Sequence, residues 1–171
     1  MSIKHIRESL GQVATYFAEH PQDARSQDKP AVAVLESGLR CRADGPNGAT
    51  LVSDMPAPVG GNASAPTPGW FLRAALANCD ATVIAMRAAQ LGIVLSRLEV
   101  TVGSESDNRG LFGVAESIPP GPLSMRVNVR IAAEDASAQQ LHELVEWAEK
   151  HSPVSDAVRR AVPVTTEVTV G

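Results

Sequence analysis

Two cysteines, and the arginines beside one of them, are the residues of this sequence best suited to chemistry. Cys79 lies in the middle of a mostly apolar segment, and Cys41 lies between Arg40 and Arg42. A cysteine acts as a nucleophile in its thiolate form, which a nearby cation favours. Cys79 is therefore either a thiol that packs among alanines or a reactive thiol that takes its cation from another segment.

A cation for Cys79 is better supplied by the segment around Cys41 than by its own helix. The helix offers two arginines roughly 80 to 120° from Cys79 around its axis: Arg73 and Arg87. Side chains alternate along a strand, so Arg40 and Arg42 share one face and Cys41 occupies the other. Either the arginines face Cys79, or Cys41 faces it and can form a disulfide with it. We expect the arginines to face Cys79.

Other catalytic classes lack their residue patterns. The four histidines are scattered, and neither a CxxC nor an HExxH spacing occurs, so we expect no metal site. No GxSxG elbow is present for a serine hydrolase, and Gly60-Gly61 is not followed by the Lys-Ser/Thr of a phosphate-binding loop. We expect no cofactor.

The composition is that of one globular domain. The chain has 171 residues, with 15 Lys and Arg against 19 Asp and Glu, a formal net charge of −4. Without basic clusters, it is a poor partner for nucleic acid or acidic lipid. No apolar stretch reaches the roughly 18 residues of a membrane span, and the N-terminus lacks the apolar run of a signal peptide. We expect a cytoplasmic protein whose cysteines are reduced thiols.

The N-terminal segment predicts a helix and a linker. Apolar residues recur three and four apart, which predicts a helix over residues 3–19. His20-Pro21 ends this helix, and the polar stretch that follows is typical of a linker. We therefore expect an N-terminal helix and linker over residues 1–29 and the main domain over residues 30–171.

The remaining segments predict an α+β fold. Thr67-Pro68 supplies an N-cap hydroxyl and a first-turn proline for a helix to Leu91, with Gly92 as C-cap. This helix is apolar nearly all round, as in a helix inside a structure, apart from a charged stripe: Arg73, Asp80 and Arg87. The other predicted elements are a bent strand or hairpin over 31–43, a strand over 49–54, a long loop over 55–69, strands over 95–104, 123–133 and 163–170, and helices over 137–150 and 153–161.

Several short motifs follow one another from Gly60 to Ser152. They are Gly60-Gly61, Pro66-Thr67-Pro68, Leu72, Ala75-Leu76, Cys79, Gly92-Ile93, Leu98-Glu99-Val100 and Ser152-Pro153-Val154. Their order and spacing resemble those of the osmotically inducible and organic hydroperoxide resistance (OsmC/Ohr) family. The similarity covers about Val32 to Val170 and leaves the N-terminal helix outside.

This resemblance implies an intertwined homodimer in which antiparallel sheets wrap two central helices, with active sites at the subunit boundary. It also implies a peroxidase mechanism, in which a thiolate attacks a peroxide oxygen, becomes a sulfenic acid and is resolved by a second cysteine. Cys79 matches the attacking cysteine. Arg40 or Arg42 is the nearest match to the family's activating arginine.

The sequence departs from the family pattern at two positions. Ser152 occupies the place of the resolving cysteine, and a serine cannot form a disulfide. Ser152 also suits an N-cap before Pro153, which is the role we expect for it. Gly69 stands where the Ohr branch has the glutamate that holds its arginine.

Two hypotheses of function follow from these departures. The first is a one-cysteine organic hydroperoxide reductase in oxidative stress defence, whose sulfenic acid is resolved by an external thiol reductant. The second is a non-catalytic homodimer that binds a small hydrophobic ligand in its interface pocket, with Cys79 as a packing residue.

Overall fold

The computed structural model describes residues 2–171 and confirms the α+β class. These residues contain five α-helices and two antiparallel sheets. They divide into two compact units, one formed by Ser9–Ala75 and the other by residues 2–8 with residues 76–171. The boundary expected between residues 29 and 30 stays a prediction. Among residues 2–171, no helix is long and apolar enough to cross a membrane.

The N-terminal helix, α1, has the predicted bounds, Ile3–Glu19, and none of its residues is buried. Val13 and Phe17, the last two apolar residues of the repeat that predicts this helix, are 51% and 42% exposed. A short 3-10 helix follows at Pro21–Ala24. No further helix or strand forms before residue 32, as expected for a linker.

A three-stranded antiparallel sheet forms in the unit Ser9–Ala75. Its strands are β1 (Val32–Ser37), β2 (Arg40–Asp44) and β3 (Thr50–Ser53), in the order β1-β2-β3. Of the two alternatives expected over residues 31–43, a bent strand or a hairpin, the structure has the hairpin. Gly38 lies in its turn with a φ of +56°, a conformation that glycine adopts without strain.

The loop after β3 is organised around the carboxyl group of Asp54, which is 1% exposed. Its oxygens accept backbone hydrogen bonds from Met55 at 2.8 Å, Asn62 at 3.2 Å and Ser64 at 3.0 Å, and a fourth from the Ser64 hydroxyl at 2.8 Å. Bonds from the Ser64 amide and hydroxyl, more than any others, hold the pKa of Asp54 below its usual range. A Cβ on Gly61 would collide with the Met55 carbonyl oxygen, so the loop needs glycine there.

The long helix α2 (Pro68–Leu91) begins and ends as predicted. The Thr67 hydroxyl accepts a 3.3 Å bond from the Trp70 amide, and Gly92 ends the helix with a φ of +76°. Six of its residues are buried, whereas four large apolar side chains are 37% to 49% exposed: Trp70, Leu72, Met86 and Leu91.

A long antiparallel pair of strands and two helices follow α2. The strands are β4 (Leu95–Ser106) and β5 (Pro122–Ala133), in register with Val100 opposite Val129. A single-turn helix that the sequence did not predict, α3 (Asn108–Leu111), lies between them. Helices α4 (Ala138–His151) and α5 (Pro153–Arg159) complete the fold.

The core of the unit that contains residues 76–171 is formed by α2, α4 and Ile93, which follows the α2 C-cap. Its buried apolar side chains are Val83, Ile84, Ala88, Ile93, Leu141, Leu144 and Ala148. Cys79 is partly buried and packs against this cluster. The cluster therefore fixes the helix that carries the cysteine.

The strand predicted over residues 163–170 is wrong. Residues 161–171 form neither helix nor strand, and Val164, Val168 and Val170 are 86%, 80% and 89% exposed. Alternation gives a segment one apolar face, but a strand also needs a neighbour that accepts its backbone hydrogen bonds. Among residues 2–171 no strand pairs with this segment.

The Asp54 loop predicts a specific loss of stability in acid. A folded-state pKa below the unfolded value means that the carboxylate stabilises the fold above the unfolded pKa, about 4. This contribution is lost as the pH falls through the folded-state pKa. We expect the free energy of unfolding, measured by urea denaturation from neutral pH into acid, to fall less steeply in Asp54→Asn than in the wild type. Ser64→Ala should give an intermediate slope, and equal slopes for wild type and Asp54→Asn would contradict this prediction.

Candidate active site

The sulfur of Cys79 contacts the hydroxyl of Ser152. Ser152 Oγ donates a 3.3 Å hydrogen bond to Cys79 Sγ, across 73 positions of sequence. Cys79 is partly buried, near the middle of α2, and Ser152 is 1% exposed at the start of α5. The structure thus brings together the two residues that the family resemblance paired, the attacking cysteine and the residue in the place of the resolving cysteine.

The hydroxyl of Ser152 makes two hydrogen bonds, one as a donor and one as an acceptor. Its Oγ accepts a 3.3 Å bond from the backbone N–H of Ser155, which confirms the N-cap role expected from the sequence. A hydroxyl has one proton and two acceptor lone pairs, and Ser152 donates that proton to Cys79 while one lone pair accepts from the Ser155 N–H.

A buried carboxyl group follows Cys79 directly. Asp80 is 3% exposed, and its Oδ1 accepts a 2.9 Å bond from the hydroxyl of Ser155, which is also 3% exposed. Asp80 was not among the expected site residues. Its signal in the sequence is an acidic residue in a helix that is otherwise apolar nearly all round.

The two candidate arginines differ in how they are held within the unit Ser9–Ala75. Arg40 Nη1 donates a 2.8 Å bond to Ser64 Oγ, and Arg40 Nε donates a 3.0 Å bond to Glu36 Oε2. Arg42 forms an ion pair of 3.1 Å with Asp44, a residue of its own strand, and a longer one of 3.8 Å with Glu36. Arg40 therefore joins Glu36 of the hairpin to the loop after β3, whereas both partners of Arg42 are acidic residues of the hairpin.

Ser64 links Arg40 to the Asp54 loop. Its hydroxyl donates to Asp54 and accepts from Arg40, so its proton and one lone pair both have fixed partners. Neither Ser64 nor Asp54 was expected as a site residue, because both lie in a loop whose contacts no periodicity predicts. The orientation of Arg40, Arg42 and Cys41 toward Cys79 stays a prediction.

Cys41 and Cys79 are both free thiols. In the sheet, Cys41 lies opposite Leu35 on β1 and Ser53 on β3. Among residues 2–171, no group of three or more His, Cys, Asp or Glu is arranged to hold a metal ion.

Three solved structures have a similar fold. An OsmC-like protein from Mycoplasma pneumoniae aligns with a TM-score of 0.67 at 17% identity, over 80% of this chain and 91% of that one. An organic hydroperoxide resistance protein OsmC from Legionella pneumophila aligns with a TM-score of 0.57 at 20% identity, over 79% and 91%. An organic hydroperoxide resistance protein from Elizabethkingia anophelis aligns with a TM-score of 0.59 at 18% identity, over 81% and 92%. At these identities the similarity establishes the fold.

A search of curated proteins found no match to the sequence. A family profile, in contrast, identifies the family. Residues 60–167, more than half of the chain, match the profile of the OsmC-like proteins. This segment includes Cys79 and Ser152, and also Asp80 and Ser155, which are hydrogen-bonded to each other beside them. The chain therefore belongs to the family of OsmC-like proteins.

Proposed function

We propose that the protein reduces organic hydroperoxides with Cys79 as its single redox thiol. The observation that carries this proposal is the 3.3 Å hydrogen bond from Ser152 Oγ to Cys79 Sγ; the family resemblance implies a second, resolving cysteine at the position of Ser152. Two proteins of similar fold are named as organic hydroperoxide resistance proteins, which supports a hydroperoxide as the substrate.

The first step oxidises Cys79. Its thiolate attacks one peroxide oxygen, so that an S–O bond forms while the O–O bond breaks. The sulfur loses two electrons and becomes a sulfenic acid. The other oxygen leaves as an alkoxide, takes a proton from solvent and departs as the alcohol. The Ser152 hydroxyl, already a donor to the sulfur, stabilises the negative charge on the sulfur before this step.

The second step needs an external thiol, because the Ser152 side chain contains no sulfur. One reductant thiol attacks the sulfenic sulfur and forms a mixed disulfide with loss of water. A second reductant thiol attacks the mixed disulfide, releases the reductant as its disulfide and restores Cys79. The balance is one hydroperoxide and two thiols converted to one alcohol, one water and one disulfide.

Arg40 is the arginine that we assign to the activation of Cys79. Its bonds to Ser64 and Glu36 fix its guanidinium but use only two of the five N–H donors of the group. In the Ohr branch a glutamate holds the arginine, and here Gly69 stands at that position. We propose that Glu36 and Ser64 together do this work, with Ser64 held by Asp54.

The competing hypothesis, a non-catalytic homodimer that binds a small hydrophobic ligand, also has an observation in its favour. Ser152 is needed as the N-cap of α5, and Cys79 packs against the core. On this hypothesis, the requirements of folding alone explain why Ser152 and Cys79 occupy these positions. The reactivity of Cys79 toward a hydroperoxide distinguishes the two hypotheses.

We further propose that the protein works as a homodimer in the cytoplasm, where external thiols are available, with residues 1–29 as an N-terminal helix and linker and residues 30–171 as the OsmC-like domain. The exposed apolar side chains of α2 and of residues 164–170 support this assembly, because a second copy would cover them.

The homodimer proposal predicts that dissociation accompanies unfolding. Analytical ultracentrifugation at micromolar concentration should find a dimer, and the midpoint of thermal unfolding should rise with protein concentration. A stable, folded monomer under these conditions would contradict the proposal.

Replacing Ser152 by cysteine should restore a two-cysteine reaction. The two side-chain atoms are 3.3 Å apart, and a disulfide needs about 2.05 Å between its sulfurs, so a small movement is enough. Loss of the cap costs about 1 kcal/mol, which a domain of ordinary stability tolerates. After treatment with an organic hydroperoxide, mass spectrometry should find a disulfide between Cys79 and the introduced thiol in Ser152→Cys. In the wild type, the same treatment should leave a sulfenic acid or a more highly oxidised Cys79.

The matched control is Ser137→Cys, which changes the N-cap serine of α4 and should leave Cys79 without that disulfide. If Ser152→Cys folds but leaves Cys79 unmodified, Cys79 is not activated and the ligand-binding hypothesis replaces ours. A Cys41–Cys79 disulfide in the oxidised wild type would instead mean that Cys41, and not the arginines, faces Cys79.

A further inference from the structure

Two consecutive residues of α2 hold the first turn of α5. Cys79 accepts the hydrogen bond from Ser152, and Asp80 accepts one of 2.9 Å from Ser155. The Ser155 amide and the Ser152 hydroxyl are joined in turn by a 3.3 Å bond. The four residues therefore form one hydrogen-bonded cluster, in which Asp80 is the acidic member.

Asp80 is an unfavourable residue for packing alone. Its Oδ1 has one donor, the Ser155 hydroxyl, and its Oδ2 is buried without a hydrogen-bond partner among residues 2–171. A buried ionisable group that lacks donors destabilises a fold. An alanine, the commonest residue of α2, would occupy the position without this loss. The carboxyl therefore has a role that outweighs its effect on stability.

We propose that Asp80 is a positioning residue for Cys79, acting through Ser155 and Ser152; this inference rests on the function proposed above. By accepting from the Ser155 hydroxyl, Asp80 fixes the first turn of α5 against α2. That turn holds the Ser152 oxygen between the Ser155 amide and Cys79, so that the Ser152 hydroxyl stays within 3.3 Å of the sulfur to which it donates. Without the bond between Asp80 and Ser155, the turn can shift and the Ser152 hydroxyl can rotate away from the sulfur.

A double-mutant cycle tests this chain of contacts. The readout is the rate at which iodoacetamide alkylates Cys79, followed by mass spectrometry across pH in a Cys41→Ser background. Ser152→Ala should slow alkylation near neutral pH by about threefold to tenfold, the range expected for one hydrogen bond. With Ser155→Ala or Asp80→Ala already present, Ser152→Ala should change the rate by less than about twofold.

Asp80→Asn is the rescue variant. It keeps an oxygen that can accept from Ser155 but removes the charge, so the full effect of Ser152→Ala should return in this background. The effect of Ser152→Ala is always measured between two proteins that have the same residue at position 80. The effect of the Asp80 charge on the alkylation rate is therefore common to both and cancels. If Asp80→Ala does not fold, Ser155→Ala and Asp80→Asn still decide the question. Ser137→Ala, which removes a helix cap far from the cluster in sequence, should leave the effect of Ser152→Ala unchanged.

Two results would overturn the proposal: an equal effect of Ser152→Ala in the wild type and in Ser155→Ala, or no effect of Ser152→Ala in the wild type. Alkylation requires no peroxide, so these results are independent of the proposed function. A protein that shows the coupling but consumes no hydroperoxide would refute the reductase and retain Asp80 as a positioning residue.

Discussion

The hydrogen bond from the Ser152 hydroxyl to the Cys79 sulfur is the contact on which the proposed chemistry depends. It joins residues far apart in sequence, so α2 and α5 must pack in one defined way for it to form. The buried apolar cluster fixes α2 against α4, the helix that leads into α5, and the bond between Ser155 and Asp80 ties α5 itself to α2. Because Ser152 is also an N-cap, the stability of α5 and the environment of the thiol are set by the same oxygen atom.

The same kind of hydrogen bond occurs in both units: a buried aspartate accepts from a serine hydroxyl. In one unit the serine lies in the first turn of α5, and in the other it lies in the loop after β3. Each serine in turn contacts a residue suited to chemistry or its neighbour. Asp80 accepts from Ser155, whose amide donates to the Ser152 hydroxyl that contacts Cys79. Asp54 accepts from Ser64, whose hydroxyl accepts from Arg40. A carboxylate accepts several hydrogen bonds at once and has few rotamers when buried, which makes it a suitable anchor for a loop. In the loop after β3, the lowered pKa of Asp54 also makes the stability of the loop depend on pH.

Local signals in the sequence predicted most of the elements, and long-range contacts account for what they missed. The caps at Thr67, Ser137 and Ser152 depend on residues three positions away and were correct. The partnership of Asp80 with Ser155 spans 75 positions, and no spacing rule predicts it. The expected strand over residues 163–170 failed for a related reason, since alternation says which face is apolar but not which strand is adjacent. The contact between Cys79 and Ser152 was anticipated only through the family resemblance.

The most direct test of the central claim is the stoichiometry of hydroperoxide reduction in the wild type, Cys41→Ser and Cys79→Ser. Each protein is mixed with an organic hydroperoxide and a small thiol, and the alcohol formed, the thiol consumed and the mass of each cysteine-containing peptide are measured. We predict that the wild type and Cys41→Ser form one alcohol for every two thiols consumed, with one added oxygen on Cys79 when thiol is withheld. Cys79→Ser should be inactive. Equal turnover by Cys79→Ser, or an unmodified Cys79 in a wild type that consumes no hydroperoxide, would contradict the account.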